Sequence, residues 1–196
     1  LLAIALICLA PLAAFAQTAY LQDFDGLPMV DGALAGDGWL VFGNIFTSTG
    51  DYIWGHGPWP APNNIGNWCD IVDDQGGAAQ GTQQLVVYSD YGNVDHGVGN
   101  LIESNVFQEQ VLPVGASGTW TFTFDAKMGN LGGASTALAF IKVLDPNAGW
   151  ALTHFITADM TNTPETWTDY QLDIDVTGLD GRYLQFGFST TASNYE

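Results

Sequence analysis

From Thr119 to Asp125 the chain reads TWTFTFD, with Trp120, Phe122 and Phe124 at every second position and threonines between them. A period of two places successive side chains on opposite faces of an extended backbone. The segment therefore predicts a strand with one aromatic and one polar face. The pattern returns at 170–176, where Tyr170, Leu172, Ile174 and Val176 alternate with Gln171, Asp173 and Asp175. Further strand candidates lie at 19–24, 38–43, 83–89, 101–111, 136–144, 151–160 and 182–190. Turn signals stand between several of them: Asp90-Tyr91-Gly92-Asn93, Gly129-Asn130, Asp145-Pro146-Asn147 and Asp180-Gly181. No long stretch carries the period of an amphipathic helix, and no internal repeat or second domain boundary is found. Many short strands at this spacing predict an all-β antiparallel β-sandwich, formed by one domain over 17–196.

Residues 51–80 break the pattern. They are rich in glycine and proline yet carry Trp54, Trp59 and Trp68. A loop of this length is either functional or disordered, and its tryptophans argue against disorder. The sequence predicts a long, ordered aromatic loop.

Charge narrows the partners. The chain has 3 Lys+Arg against 21 Asp+Glu, a net charge of -18, so a face that neutralises nucleic acid or another polyanion is excluded by composition. The acid excess reads as a solvated surface that aids solubility. Residues 1–16 form an uncharged apolar run closing on Ala14-Phe15-Ala16, the pattern of a secretory signal and its small-x-small cleavage site. The basic region that precedes such a run is not in the sequence, which opens on Leu1, so the chain is expected to begin part-way into the signal. Pro11 interrupts a run shorter than the ~20 residues of a membrane span, and no later segment is apolar enough to cross. Signal removal would leave Cys69 without a cysteine partner, so no internal disulfide is expected and the thiol reads as a small buried hydrophobe.

In the aromatic segment, Tyr52 and Trp54 share a face if the backbone is extended, and Trp59 and Trp68 follow close by. Flat indole faces suit the CH-rich faces of sugars, and Asn63, Asn64 and Asn67 can hydrogen-bond to hydroxyls. The competing reading has the tryptophans folded inward to pin the segment down, with the asparagines serving turns. Trp120, Trp150 and Trp167 lie in or beside strand candidates and are expected in the core. Asp173-x-Asp175-x-x-Gly178 faintly echoes a calcium loop, but Leu184 stands where its bidentate Glu belongs, and the alternation makes both acids solvent-facing.

Catalytic signatures are sparse. His56, His96 and His154 are too far apart in sequence for a metal-ligand pair, and no G-x-S-x-G elbow occurs. Glu103 and Glu109 belong to one strand candidate and are expected on opposite faces, with Glu109 towards solvent, which would not suit the paired carboxyls of a glycosidase. The sequence is read as that of a non-enzyme.

In order along the chain, Asp23-Phe24-Asp25-Gly26, Trp39, GTQQLVV (81–87), Val106-Phe107-Gln108, PVGASGTWTFTFDAK (113–127), Thr166-Trp167 before Tyr170-Gln171-Leu172, and Leu184-Gln185-Phe186-Gly187-Phe188 form a recognisable series. The series resembles the secreted carbohydrate-binding modules of the galactose-binding-like jelly-roll type, the group that includes families four, nine and twenty-two. The resemblance implies a jelly-roll sandwich, a neutral glycan as partner, Gln108 as a further binding position, and a structural calcium ion near Asp23 and Asp25. It also implies a closing strand after 182–190, which the sequence, stopping at Tyr195-Glu196, is not expected to contain. The alternatives are a structural or adhesive protein of an envelope or extracellular matrix, which the Gly-rich acidic composition also suits, and a glycan-active enzyme.

Overall fold

A computed structural model describes residues 19–63, 65–89, 91 and 94–193. The expected signal segment, Asn64, Tyr195 and Glu196 lie outside the described residues. Among the described residues, ten strands follow one four-residue α-helix, α1 (Ala33–Gly36). They are β1 (Leu40–Phe46), β2 (Tyr52–Pro60), β3 (Cys69–Asp73), β4 (Gln83–Val87), β5 (Leu101–Val111), β6 (Thr119–Ala126), β7 (Thr136–Asp145), β8 (Ala151–Asp159), β9 (Thr168–Asp175) and β10 (Tyr183–Ala192).

The fold is an antiparallel all-β sandwich, as the alternation requires. One layer is a six-stranded sheet in the order β2-β1-β5-β10-β7-β8, and the other consists of two separate pairs, β3-β4 and β6-β9. Trp120, Leu172 and Ile174 face inward from β6 and β9, and meet Ala139, Ile141, Val143 and Leu184 of the large sheet. Beside this core, Cys69 and Ile71 of β3 and Leu34 of α1 close over Val41, Ile45, Ile102 and Val106. Burying each such side chain contributes about 1.5–3 kcal/mol, so the two clusters hold the layers together without a disulfide. Strand β5 is buried along most of its length because it lies mid-sheet with side chains packed over both faces.

Three local expectations are corrected. Residues 19–24 form no strand, because side chains bind this segment instead: Tyr20 Oη and Gln22 Nε2 donate to Asp37 at 2.6 and 2.8 Å, and Phe24 N donates to Gln22 Oε1 at 2.6 Å. The segment 51–80 is not a loop throughout, since it contains β2 and β3. Strand β2 accommodates Pro58 and Pro60 because it is the outermost strand, where one side of the backbone needs no ladder partner. Trp150 is not core but about half exposed, packed on Tyr183 with ring centroids 4.9 Å apart. Trp167 is partly exposed as well, its Nε1 donating to Gln75 O at 3.1 Å.

Candidate functional site

The aromatic side chains of 51–68 divide according to the register of β2. Ile45 of β1 stands opposite Trp54, Gly43 opposite His56 and Val41 opposite Trp59. Val41, Gly43 and Ile45 are the inward-facing residues of β1, so Trp54, His56 and Trp59 share that side. A register shift between Ile45 and Phe46 places Tyr52 opposite Phe46, on the other side of the sheet. The expectation that Tyr52 and Trp54 share a face is therefore corrected: the extra residue, Ile53, breaks the two-residue period. Tyr52 is 62% exposed and packs edge-on to Phe46 at 5.8 Å.

Because β2 is the last strand of its sheet, its inward face is only partly covered. Trp54 and Trp59 remain 41% and 47% exposed. Their ring centroids lie 4.8 and 4.6 Å from that of His56, tilted by 32° and 61° to the imidazole. The result is a bent aromatic rim, two indoles flanking one imidazole. Its base is Trp68, stacked on Tyr91 at 3.9 Å and 8° and only 8% exposed. Tyr91 Oη lies 2.8 Å from His56 Nε2. Gly43 makes room for that contact: a Cβ there would fall 2.6 Å from both of those atoms. Partial burial lowers the His56 pKa, which favours the neutral imidazole.

The other sequence-predicted ligands are committed to the fold. Asn63 is fully buried; its Nδ2 donates to Val30 O at 2.9 Å and Pro28 O at 3.4 Å, and its Oδ1 accepts from Ile71 N at 2.6 Å. It ties the segment before α1 to β3. Gln108 is buried and donates through Nε2 to Tyr20 Oη and Asp37 O, both at 3.0 Å. Asp70, not singled out from the sequence, accepts Ile65 N and Gly66 N at 3.0 Å each and organises the turn that carries Trp68.

Asp25 Oδ1 accepts three hydrogen bonds, from Thr82 N at 2.8 Å, Thr82 Oγ1 at 3.0 Å and Gln83 N at 2.7 Å. These donors hold the Asp25 carboxyl below the usual carboxylate range. Asp23 Oδ1 accepts Asp25 N at 3.2 Å. Calcium takes six to eight oxygens, and among the described residues no group of three or more acids, histidines or cysteines is gathered to hold a metal. The opening segment is thus joined to the start of β4 by hydrogen bonds.

The outward face of the large sheet carries a second polar arrangement. Glu103 stands opposite Thr191 and Glu109 opposite Gln185, an even number of residues apart on β5, so they face the same side and the expectation of opposite faces is corrected. Six residues of strand separate them by about 20 Å, beyond the ~5–9.5 Å of a glycosidase acid pair. Glu103 Oε1 accepts from Asn44 and Asn105, both at 2.7 Å, and Glu109 Oε2 accepts from Gln185 at 2.6 Å. The Lys142 ammonium lies over Phe107 and Phe140 at 5.4 and 4.7 Å, and burial lowers its pKa against the pull of both glutamates.

No family model, curated protein or solved structure matches this chain. No helix among the described residues is long and apolar enough to cross a membrane.

Proposed function

We propose that this is a secreted protein, similar to the jelly-roll carbohydrate-binding modules, that binds a neutral glycan along the rim of β2 without cleaving it. The observation that carries this reading is the exposure of Trp54 and Trp59 on either side of His56. Indoles left this open in a well-packed sandwich offer apolar contact area at low conformational cost, and sugars supply matching CH faces. The imidazole between them brings a polar edge for hydroxyls. Trp68, Asn63 and Gln108 support the site from within the fold rather than by contact with ligand. The net charge of -18 favours an uncharged ligand over an acidic one.

The test is retention of the protein on insoluble cellulose, xylan and mannan, with calcium and with EDTA. Replacing Trp54 or Trp59 by Ala is expected to weaken retention about tenfold each, while Trp150→Ala, an exposed indole elsewhere, leaves it unchanged. Undiminished retention of the Trp54→Ala, Trp59→Ala double variant would remove the rim from the site. Calcium-dependent self-association without retention on any glycan would favour an adhesive role.

A further inference from the structure

The six-stranded sheet ends on β2 at one edge and on β8 at the other, and among the described residues each of these strands is paired on one side only. An unpaired edge is a template for another chain, and folds guard against it with proline, charge, irregular pairing or cover. Strand β2 is guarded: it carries Pro58 and Pro60, and its ladder with β1 shifts register twice. In the second layer β3 carries Asp70 and Asp73, and β9 carries Asp169, Asp173 and Asp175. The edges of β4 and β6 are set back on either side of a recess floored by β10. Strand β8 is the exception. Ala151–Asp159 contains no proline, and Asp159 is its one Asp, Glu, Lys or Arg. Its single register shift, beside Val143 and Leu144 of β7, leaves Phe155–Asp159 regular.

The backbone of that regular stretch presents a symmetric set of groups. Met160 N donates to Ala137 O at 2.8 Å, which sets the phase of the β7–β8 ladder. In an antiparallel ladder alternate residues direct N–H and C=O towards the partner and away from it. Ala158 and Ile156 therefore face Ala139 and Ile141 of β7, while Asp159, Thr157 and Phe155 turn their backbone groups outward. These three outward residues are evenly spaced, with Thr157 at their midpoint. A two-fold axis beside Thr157, perpendicular to the sheet, sets Thr157 opposite Thr157 of a second copy and Phe155 opposite that copy's Asp159. Every outward N–H and C=O of the three residues then finds an antiparallel partner.

We propose that two copies of this protein join through β8 in this register, making one continuous sheet across a two-fold axis. An isologous contact of this kind needs a patch that complements itself, which the symmetric set around Thr157 is. Charge selects the same edge. A chain of net charge -18 repels its copies over most of its surface, and β8 offers a contact with a single acid. In this register the two Asp159 carboxylates stand about 14 Å apart along the strands, beyond the ~8 Å screening length at physiological salt. On the inward face Ile156, packed against the first core, meets Ala158 of the second copy, so the apolar layer continues across the join. On the outward face the threonines form a cross-strand pair, and Phe155, 54% exposed, lies beside the second copy's Asp159. One strand edge buries less than the ~1,200 Å² in total that marks a strong interface, so the dimer is a weak one, with a dissociation constant of about 10–100 µM.

The test is sedimentation of the protein in EDTA over about 5–500 µM, which sets calcium-dependent association aside. A monomer–dimer equilibrium is expected. Thr157 is exposed, so substitutions there leave the packing of the monomer in place. Thr157→Lys sets two ammonium groups against each other at the axis and is expected to weaken the dimer at least about tenfold. Thr157→Cys places two thiols across a pair whose Cα atoms are about 5.5 Å apart, within disulfide reach. It is expected to cross-link on mild oxidation far faster than Val114→Cys, an equally open position away from β8. A monomer throughout that range, a dimer that Thr157→Lys does not weaken, or a Thr157→Cys variant that cross-links no faster than Val114→Cys would each overturn the proposal.

Discussion

Replacing Asn63 by Ala separates a supporting role from a ligand-binding one. The side chain is fully buried, and the truncation strips Ile71 N–H of its 2.6 Å acceptor and Val30 O of its 2.9 Å donor. Ile71 is itself buried, so water does not readily replace the lost partner. Each buried polar group left unsatisfied costs about 1–3 kcal/mol. The amide nitrogen bears most of that cost, since a carbonyl tolerates partial satisfaction better, and a total of about 3 kcal/mol is expected. With a urea m-value of about 2 kcal/mol/M, the unfolding midpoint falls by about 1.5 M at unchanged m. The assay is equilibrium urea unfolding followed by tryptophan fluorescence, with glycan retention measured on the folded variant. A variant of wild-type stability that has lost retention would refute the reasoning and return Asn63 to the binding surface.

Two further outcomes follow from the same geometry. A Cβ added at Gly187 would lie 2.7 Å from Phe107 Cα and closer still to Val106 O, both backbone atoms at the centre of the sheet. Gly187→Ala is expected to cost about 3 kcal/mol and lower the thermal midpoint by about 6–12 °C, and an unchanged melt would mean β5 and β10 are not packed as described. The second concerns acid. Hydrogen bonds from the Gln83 and Thr82 backbone and the Thr82 hydroxyl lower the folded-state pKa of Asp25, so its contribution is present above the ordinary carboxylate pKa and is lost as pH falls through the depressed value. Asp25→Asn should flatten the acid limb of stability against pH, measured by urea unfolding at a series of pH values; parallel limbs for variant and wild type would show that these three hydrogen bonds do not act.

Strands with an uninterrupted period were legible from residue type alone: β6 and β9 fall where the alternation of their sequences puts them, and β1, β4, β5, β7, β8 and β10 overlap the other strand candidates. Strand β2 was hidden because Gly55, Gly57, Pro58 and Pro60 are turn residues in most settings, and only its position at the sheet edge makes them tolerable. Conversely 19–24 alternates like a strand but spends its polar groups on side-chain contacts with Asp37 and Gln22. Within the site, Trp54, Trp59 and Trp68 look alike in sequence; what separates them is a tertiary contact, the stacking of Trp68 on Tyr91. Nothing local to Asn63 or Gln108 marks them as buried, since their partners lie on distant segments. The shared face of Glu103 and Glu109, by contrast, was available from their even spacing.

The most direct measurement of the central claim is a titration of the indole Nε1–H signals with neutral oligosaccharides by NMR. If the rim of β2 is the site, the signals of Trp54 and Trp59 move saturably, with the Trp120 and Trp150 signals unmoved. Saturable shifts confined to tryptophans other than Trp54 and Trp59, or no shift with any neutral oligosaccharide that retains the protein, would contradict it.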